Sequence, residues 1–130
     1  MEATFSVTAF PEREMMRITL SGFFSRNDLV AFDQARLAEF ARLRCAPGRH
    51  VTLVDLREMK IQAQELLPGF SAIIADPATR PRRLAFVMTG SLARAQLKRI
   101  VRTDGVAIFA DLPSAEAWLA EPAEGYALAG

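Results

Sequence analysis

The order of apolar patterns along this chain predicts an α/β fold. It is a mostly parallel five-stranded sheet built from four strand–helix units, with an N-terminal strand joined antiparallel at its edge. Two observations carry that prediction. Short apolar runs of strand length recur, and four of them are each followed by a segment with helical spacing. The N-terminus differs, because there two strand-like runs follow one another across a short polar turn. The 130 residues suffice for one domain with a real core, and 51% hydrophobic against 24% charged residues is the balance of a folded chain.

Thr4 to Ala9 and Met15 to Ser21 are the two N-terminal strands, separated by Phe10-Pro11-Glu12-Arg13-Glu14. The second alternates Met16, Ile18 and Leu20 with Arg17, Thr19 and Ser21, and the Pro-containing turn makes an antiparallel hairpin. Ser25 opens a helix, with Asp28 adding negative charge to its first turn, and the helix runs to about Leu43 before the Pro47-Gly48 stop. His50 to Leu56 reads as a central strand buried on both faces. Gln64 to Ala75 follows as a helix carrying Leu66, Leu67, Phe70, Ile73 and Ile74, although Gly69 beside Pro68 weakens it. Leu84 to Met88 is the next buried strand, and Thr89-Gly90-Ser91 opens a helix to about Thr103. Val106 to Phe109 is a last strand, and Ser114 caps a helix from Ala115 to Ala120. Residues 1–120 then form the domain and 121–130 a tail without pattern.

Charge is unevenly placed. Arg80, Arg82, Arg83, Arg94, Lys98, Arg99 and Arg102 fall in one window that holds no acidic residue, although the whole chain has 16 basic and 15 acidic residues. A positive surface on one strand–loop–helix unit is predicted, with a counter-charged ligand or partner as its use. No apolar run reaches the ~20 residues that span a bilayer. The first residues lack the layout of an export signal, and the single Cys45 fits a reducing compartment, so a cytoplasmic location is expected.

The element order resembles the anti-sigma factor antagonist (STAS) fold, in particular its SpoIIAA-like branch of small bacterial proteins. The matching residues are Leu53-Val54-Asp55-Leu56, Thr89-Gly90-Ser91 and the closing Asp111-Leu112-Pro113-Ser114-Ala115-Glu116-Ala117-Trp118-Leu119, within a likeness spanning Thr4 to Leu119. In the antagonist family the loop after the Asp-Leu strand leads to an Asp-Ser pair whose serine is the phosphorylation switch. Counted from Asp55, those positions are Ala63 and Gln64 here, and neither accepts a phosphate; Ser71 lies two turns later. The resemblance therefore implies the fold without a kinase-operated switch. It also implies binding of apolar molecules or membranes, proposed for the SpoIIAA-like branch.

Arg94, Lys98 and Arg102 are spaced to share one helix face, read either as a solvated face or as a contact for lipid headgroups, a phosphate compound or an acidic protein. Near an anionic bilayer each such residue contributes ~1 kcal/mol. Ser91 with the free N–H groups of its helix terminus is a simple cap or an anion site. Leu66, Leu67 and Phe70 are core, or, hinged at Pro68-Gly69, a gate for an apolar guest, with Arg80, Arg82 and Arg83 supplying the electrostatic half of a membrane contact. Asp33 and Arg36 fall inside the apolar stripe of the first helix. They are bridged at i, i+3 at the sheet margin, or line a polar pocket or subunit contact.

One histidine, His50, and one cysteine leave no His-based zinc site, no thiolate cluster and no nucleophile motif, and no cofactor is called for. Nucleic acid is not an expected partner, since zinc-binding and RNP-type patterns are missing. The expected function is non-catalytic binding of an apolar or amphiphilic anionic ligand, a lipid or a membrane surface, at the inner membrane if peripheral. The alternative is a regulatory protein-interaction module docking an acidic partner through the same face. A homodimer through an uncovered sheet face or edge is also plausible.

Overall fold

Strands β1 (Thr4–Phe10), β2 (Met15–Ser21), β3 (Val51–Asp55), β4 (Arg83–Val87) and β5 (Val106–Phe109) lie side by side in chain order in the computed structural model. The structure describes residues 2–100 and 105–122, with the backbone alone at 99 and 100. β1 pairs antiparallel with β2, from Thr4 opposite Ser21 to Phe10 opposite Met15, and every later pairing is parallel. The predicted architecture is the observed one.

Chain-order stacking also fixes where the helices go. Helices α1 (Arg26–Phe40), α2 (Leu67–Ile74) and α3 (Ser91–Ile100) each connect a strand to its parallel neighbour in the same direction across the sheet. Right-handed crossovers place all three on one face. There Ile18, Leu20, Val54, Leu56 and Phe86 meet Phe32 of α1, Phe70 of α2 and Leu97 of α3. The opposite face is left to α4 (Leu112–Leu119), whose Ala115 and Leu119 pack on Val51, Leu53, Ala85 and Val87. Over β1 the outward residues Thr4, Ser6 and Thr8 are polar and exposed, as a strand with one wet face requires.

Local chemistry sets the boundaries. Ser25 caps α1 in a full capping box with Asp28. The helix stops at Phe40, short of the expected Leu43, because Arg42 and Leu43 donate to the Glu39 and Phe40 carbonyls in tighter i→i+3 bonds. The segment expected as one helix from Gln64 divides into a 3-10 turn (Gln64–Leu66) and α2, with Pro68 in the first turn of α2 where its missing N–H costs nothing. Gly69 has a packing role, since a Cβ there would lie 2.5 Å from Leu29 Cδ2 of α1. α4 begins three residues before the expected start. Its cap is Asp111, which accepts from the Ser114 N–H, and Pro113 occupies the first turn, so Ser114 is a helical residue. The expected extension of the third helix to Thr103 falls outside the described residues, as does most of the 121–130 tail.

Gly105 leads into β5 with φ +81°, and a Cβ there would meet the Arg82 carbonyl oxygen at 2.9 Å; Gly48 has φ +77° with nothing within 4 Å. Gly48→Ala is expected to lose about 1 kcal/mol from the left-handed backbone alone. Gly105→Ala should lose clearly more in urea denaturation, and equal losses would show that the Arg82 carbonyl does not resist the added methyl.

Candidate functional site

The basic window does not form one open face. Arg83, whose side chain is 12% exposed, stacks on Trp118 with its guanidinium carbon 4.6 Å from the ring centre. Its Nη1 donates to the Trp118 carbonyl at 2.6 Å and to Glu121 Oε1 at 3.0 Å. Arg82 Nη2 donates to the Leu119 and Glu121 carbonyls, and its buried Nη1 has no partner among the described residues. Both cations therefore sit on the carboxyl end of α4, where helix carbonyls and the helix dipole favour positive charge. Arg80 is exposed in the loop before β4. On α3, Arg94 is half-buried with Nη1 3.4 Å from the Met88 carbonyl, Ser91 and Lys98 are exposed, and Arg102 lies outside the described residues.

Asp33 and Arg36 make the i, i+3 bridge, with Arg36 Nε and Nη2 donating to Asp33 Oδ1 at 2.9 and 2.7 Å. Arg36 Nη1 also reaches Thr79 Oγ1 at 2.6 Å, and Nη2 lies 3.5 Å from Asp76 Oδ2. Every guanidinium nitrogen is engaged, which is how a side chain 9% exposed keeps its charge. The network ties α1 to the loop before β4.

Beneath α2 lies a cavity of about 130 Å³ between the helices and the sheet. Its walls are mostly apolar and include Ile18, Val54, Phe86, Phe70 and Ile73. Of the predicted ligand-binding residues, Leu67 and Phe70 line it, whereas Leu66 is packed in the core and Ser91, Arg94 and Lys98 do not reach it. Arg36 lines it as well, so half of the Asp33–Arg36 pair faces a pocket. His50, which the sequence gives no catalytic or metal-binding partner, lines the cavity at the start of β3 with 2% exposure and its ring against Phe40. Neither ring nitrogen hydrogen-bonds to another described residue, and burial pushes the imidazole from 6.5 down to about 4. Thr52, two residues along the same strand face, lines the cavity too.

At the carboxyl ends of the strands a second cluster forms. Gln62 is buried; its Oε1 accepts from the Phe24 N–H at 2.8 Å and its Nε2 donates to the Gly22 carbonyl at 2.9 Å. Gln96 of α3 exchanges two hydrogen bonds with the Gln62 backbone. The β2 exit, the 57–62 loop and α3 are thereby fastened together. Large apolar side chains stand exposed at this end: Phe23 at 51%, Ile61 at 46% and Leu92 at 72%. Beside them Asp55 is held by Arg57 Nε and Nη2 at 3.0 and 2.8 Å, and that hydrogen bonding lowers its carboxyl below the ordinary range against the opposing effect of burial. Nothing in the local sequence around Gln62 marked it, because its bonds join segments distant in the chain.

No protein-family model matches the chain, and no curated protein does. Solved structures do. A DUF3478-family protein with a SpoIIAA-like fold from Shewanella loihica PV-4 superposes with a TM-score of 0.66 at 15% identity, covering 90% of this chain and 93% of that one. An anti-sigma factor antagonist from Mycobacterium paratuberculosis gives 0.63 at 16% identity, covering 92% and 96%. The chain has a SpoIIAA-like fold. Within it, Ala63 is the extended residue before the 3-10 turn and Gln64 the first residue of that turn, and Ser71 lies inside α2. The structure thus puts Ala63 and Gln64 at the opening of the helical segment, where the resemblance sets the antagonists' Asp-Ser pair.

His50 gives a pH test. Between pH 6.5 and about 4 the unfolded chain takes up a proton that the folded one refuses, so stability falls as pH falls through that window. The loss amounts to roughly 3 kcal/mol at pH 4. His50→Leu should lose that much less than wild type between pH 7 and 4 in urea titrations, and parallel curves would show that the buried imidazole is not the titrating group. Arg83→Ala is expected to cost about 2 kcal/mol through its carbonyl bonds and Trp118 stacking, with Arg80→Ala leaving the urea midpoint unchanged.

Proposed function

We propose that this chain is a non-catalytic regulatory module that binds another protein and is not switched by phosphorylation. The observation that carries this reading is the exposure of Phe23, Ile61 and Leu92 at one end of a sheet whose fold matches an anti-sigma factor antagonist. Open α/β sheets place their ligands at the carboxyl ends of the strands. Apolar side chains held there on a rigid, hydrogen-bonded frame suit a protein partner better than bulk water. Ala63 and Gln64 argue against a phosphoserine switch, since neither side chain has a hydroxyl. An acidic partner would find Lys98 and Arg94 on the adjoining helix, a contact secondary to the apolar one.

A second reading is favoured by the cavity: an apolar molecule held beneath α2. It keeps Leu67 and Phe70 of the predicted ligand contacts and sets aside the basic stripe as its headgroup site, because Arg94 and Lys98 do not line the cavity. Association with a membrane surface would then depend on exposed cations alone. No helix among the described residues is long and apolar enough to cross a membrane.

Site-specific photo-crosslinking tests the first reading. A photoreactive residue at 23, 61 or 92 should capture one common protein in cells, whereas the same residue at Thr8 or Ala117 should not. Phe23→Ser with Leu92→Ser should weaken binding of that purified protein at least tenfold with an unchanged thermal midpoint. Capture that is equal at all five positions, or binding that is indifferent to the double substitution, would reject the rim as the docking surface.

A further inference from the structure

We infer that the cavity beneath α2 is a binding site for a small, neutral, apolar molecule carrying one hydroxyl group, which hydrogen-bonds His50. This rests on the second reading above for the cavity being a ligand site, and adds which chemistry it selects. The volume, about 130 Å³, suits a molecule of about benzene size, since an apolar cavity of roughly 150 Å³ accepts benzene. Val54, Phe70, Ile73 and Phe86 supply apolar wall, so most of the guest must be hydrocarbon. At the start of β3 His50 and Thr52 share a strand face in the lining, whereas the side chains of Gln62 and Gln96 at the other end are already engaged in hydrogen bonds with the backbone.

His50 is 98% removed from solvent and lines the cavity, and its ring nitrogens are not sealed off, since Arg82 Nη1 is the one fully buried side-chain nitrogen without a partner among the described residues. An imidazole that borders the cavity without a side-chain partner can take a hydrogen bond from, or give one to, a guest hydroxyl while it remains neutral. Thr52 adds a hydroxyl of its own within the lining. An anion has no comparable gain. At the His50 end the lining cation is Arg36, and Asp33, Thr79 and Asp76 already occupy its nitrogens, whereas Lys60 joins the lining from the loop beyond the other end of β3. A charged headgroup would also lose hydration on entering an apolar space. Selectivity then follows from the guest itself: a hydroxyl can hydrogen-bond His50, and a methyl group cannot.

The test compares p-cresol with toluene, using two-dimensional amide NMR of the full chain and calorimetry for affinity. p-Cresol should bind at least fivefold more tightly than toluene, with shifts centred on residues 50–54 and 70–74. His50→Leu should abolish the preference, so that this variant binds p-cresol no more tightly than it binds toluene. Thr52→Val serves as a second, isosteric variant should the histidine change disturb folding, and a several-fold loss confined to p-cresol is expected. Ile73→Phe, which fills the cavity, should block both. Equal binding of the two molecules to wild type would overturn the hydroxyl assignment and leave an apolar cavity. Binding of neither would overturn the ligand site itself.

Discussion

Leu53 of β3 and Val87 of β4 have no exposure to solvent, and strands buried on both faces need a helical layer on each side. Most of the architecture follows from meeting that need in a sheet stacked in chain order. Three crossovers running the same way must share a face, and among the described residues only α4 remains for the other. The two cores are consequently unequal. Three helices over five strands give a broad, loosely filled layer, and a single helix over β3 to β5 gives a narrow, tight one. A void in the broad layer is the natural consequence, and it lies under α2, the shortest of its three helices.

Arginine does much of the fastening between layers. Arg83 and Arg82 clamp the last turn of α4 to the start of β4, and Arg36 links α1 to the loop before that strand. A planar guanidinium with five donors suits this use, because it can satisfy several carbonyl or carboxylate oxygens at once and still stack on an aromatic face. Such groups sit in sequence as surface charge. The carbonyls at the end of α4 that Arg82 and Arg83 meet carry no sequence signature at all.

Cavity and rim are joined by one segment. Met59 and Gln62 line the cavity, while Ile61 between them belongs to the exposed rim, and Gln62 also holds the β2 exit and α3 in place. The His50 and Thr52 end of the cavity lies at the opposite end of β3 from that rim. A guest and a protein partner would thus occupy different surfaces of a common frame. The Arg57 clamp on Asp55 stiffens that frame where β3 hands over to the loop.

Periodicity and turn chemistry determined the strands, their order of types, the antiparallel hairpin and the Ser25 cap, because these depend on residues within one or two turns of each other. The Asp33–Arg36 bridge was legible for the same reason, being an i, i+3 pair. The start of α4 was misplaced because Asp111 and Ser114 both suit a cap, and only the fold decides which one stands outside the helix. Tertiary structure alone decided the fate of the basic window, the close approach at Gly69, the cavity and its His50, and the gathering of Phe23, Ile61 and Leu92. Each of these depends on groups far apart in the chain meeting across a layer, and composition or spacing along the chain holds no record of distances through space.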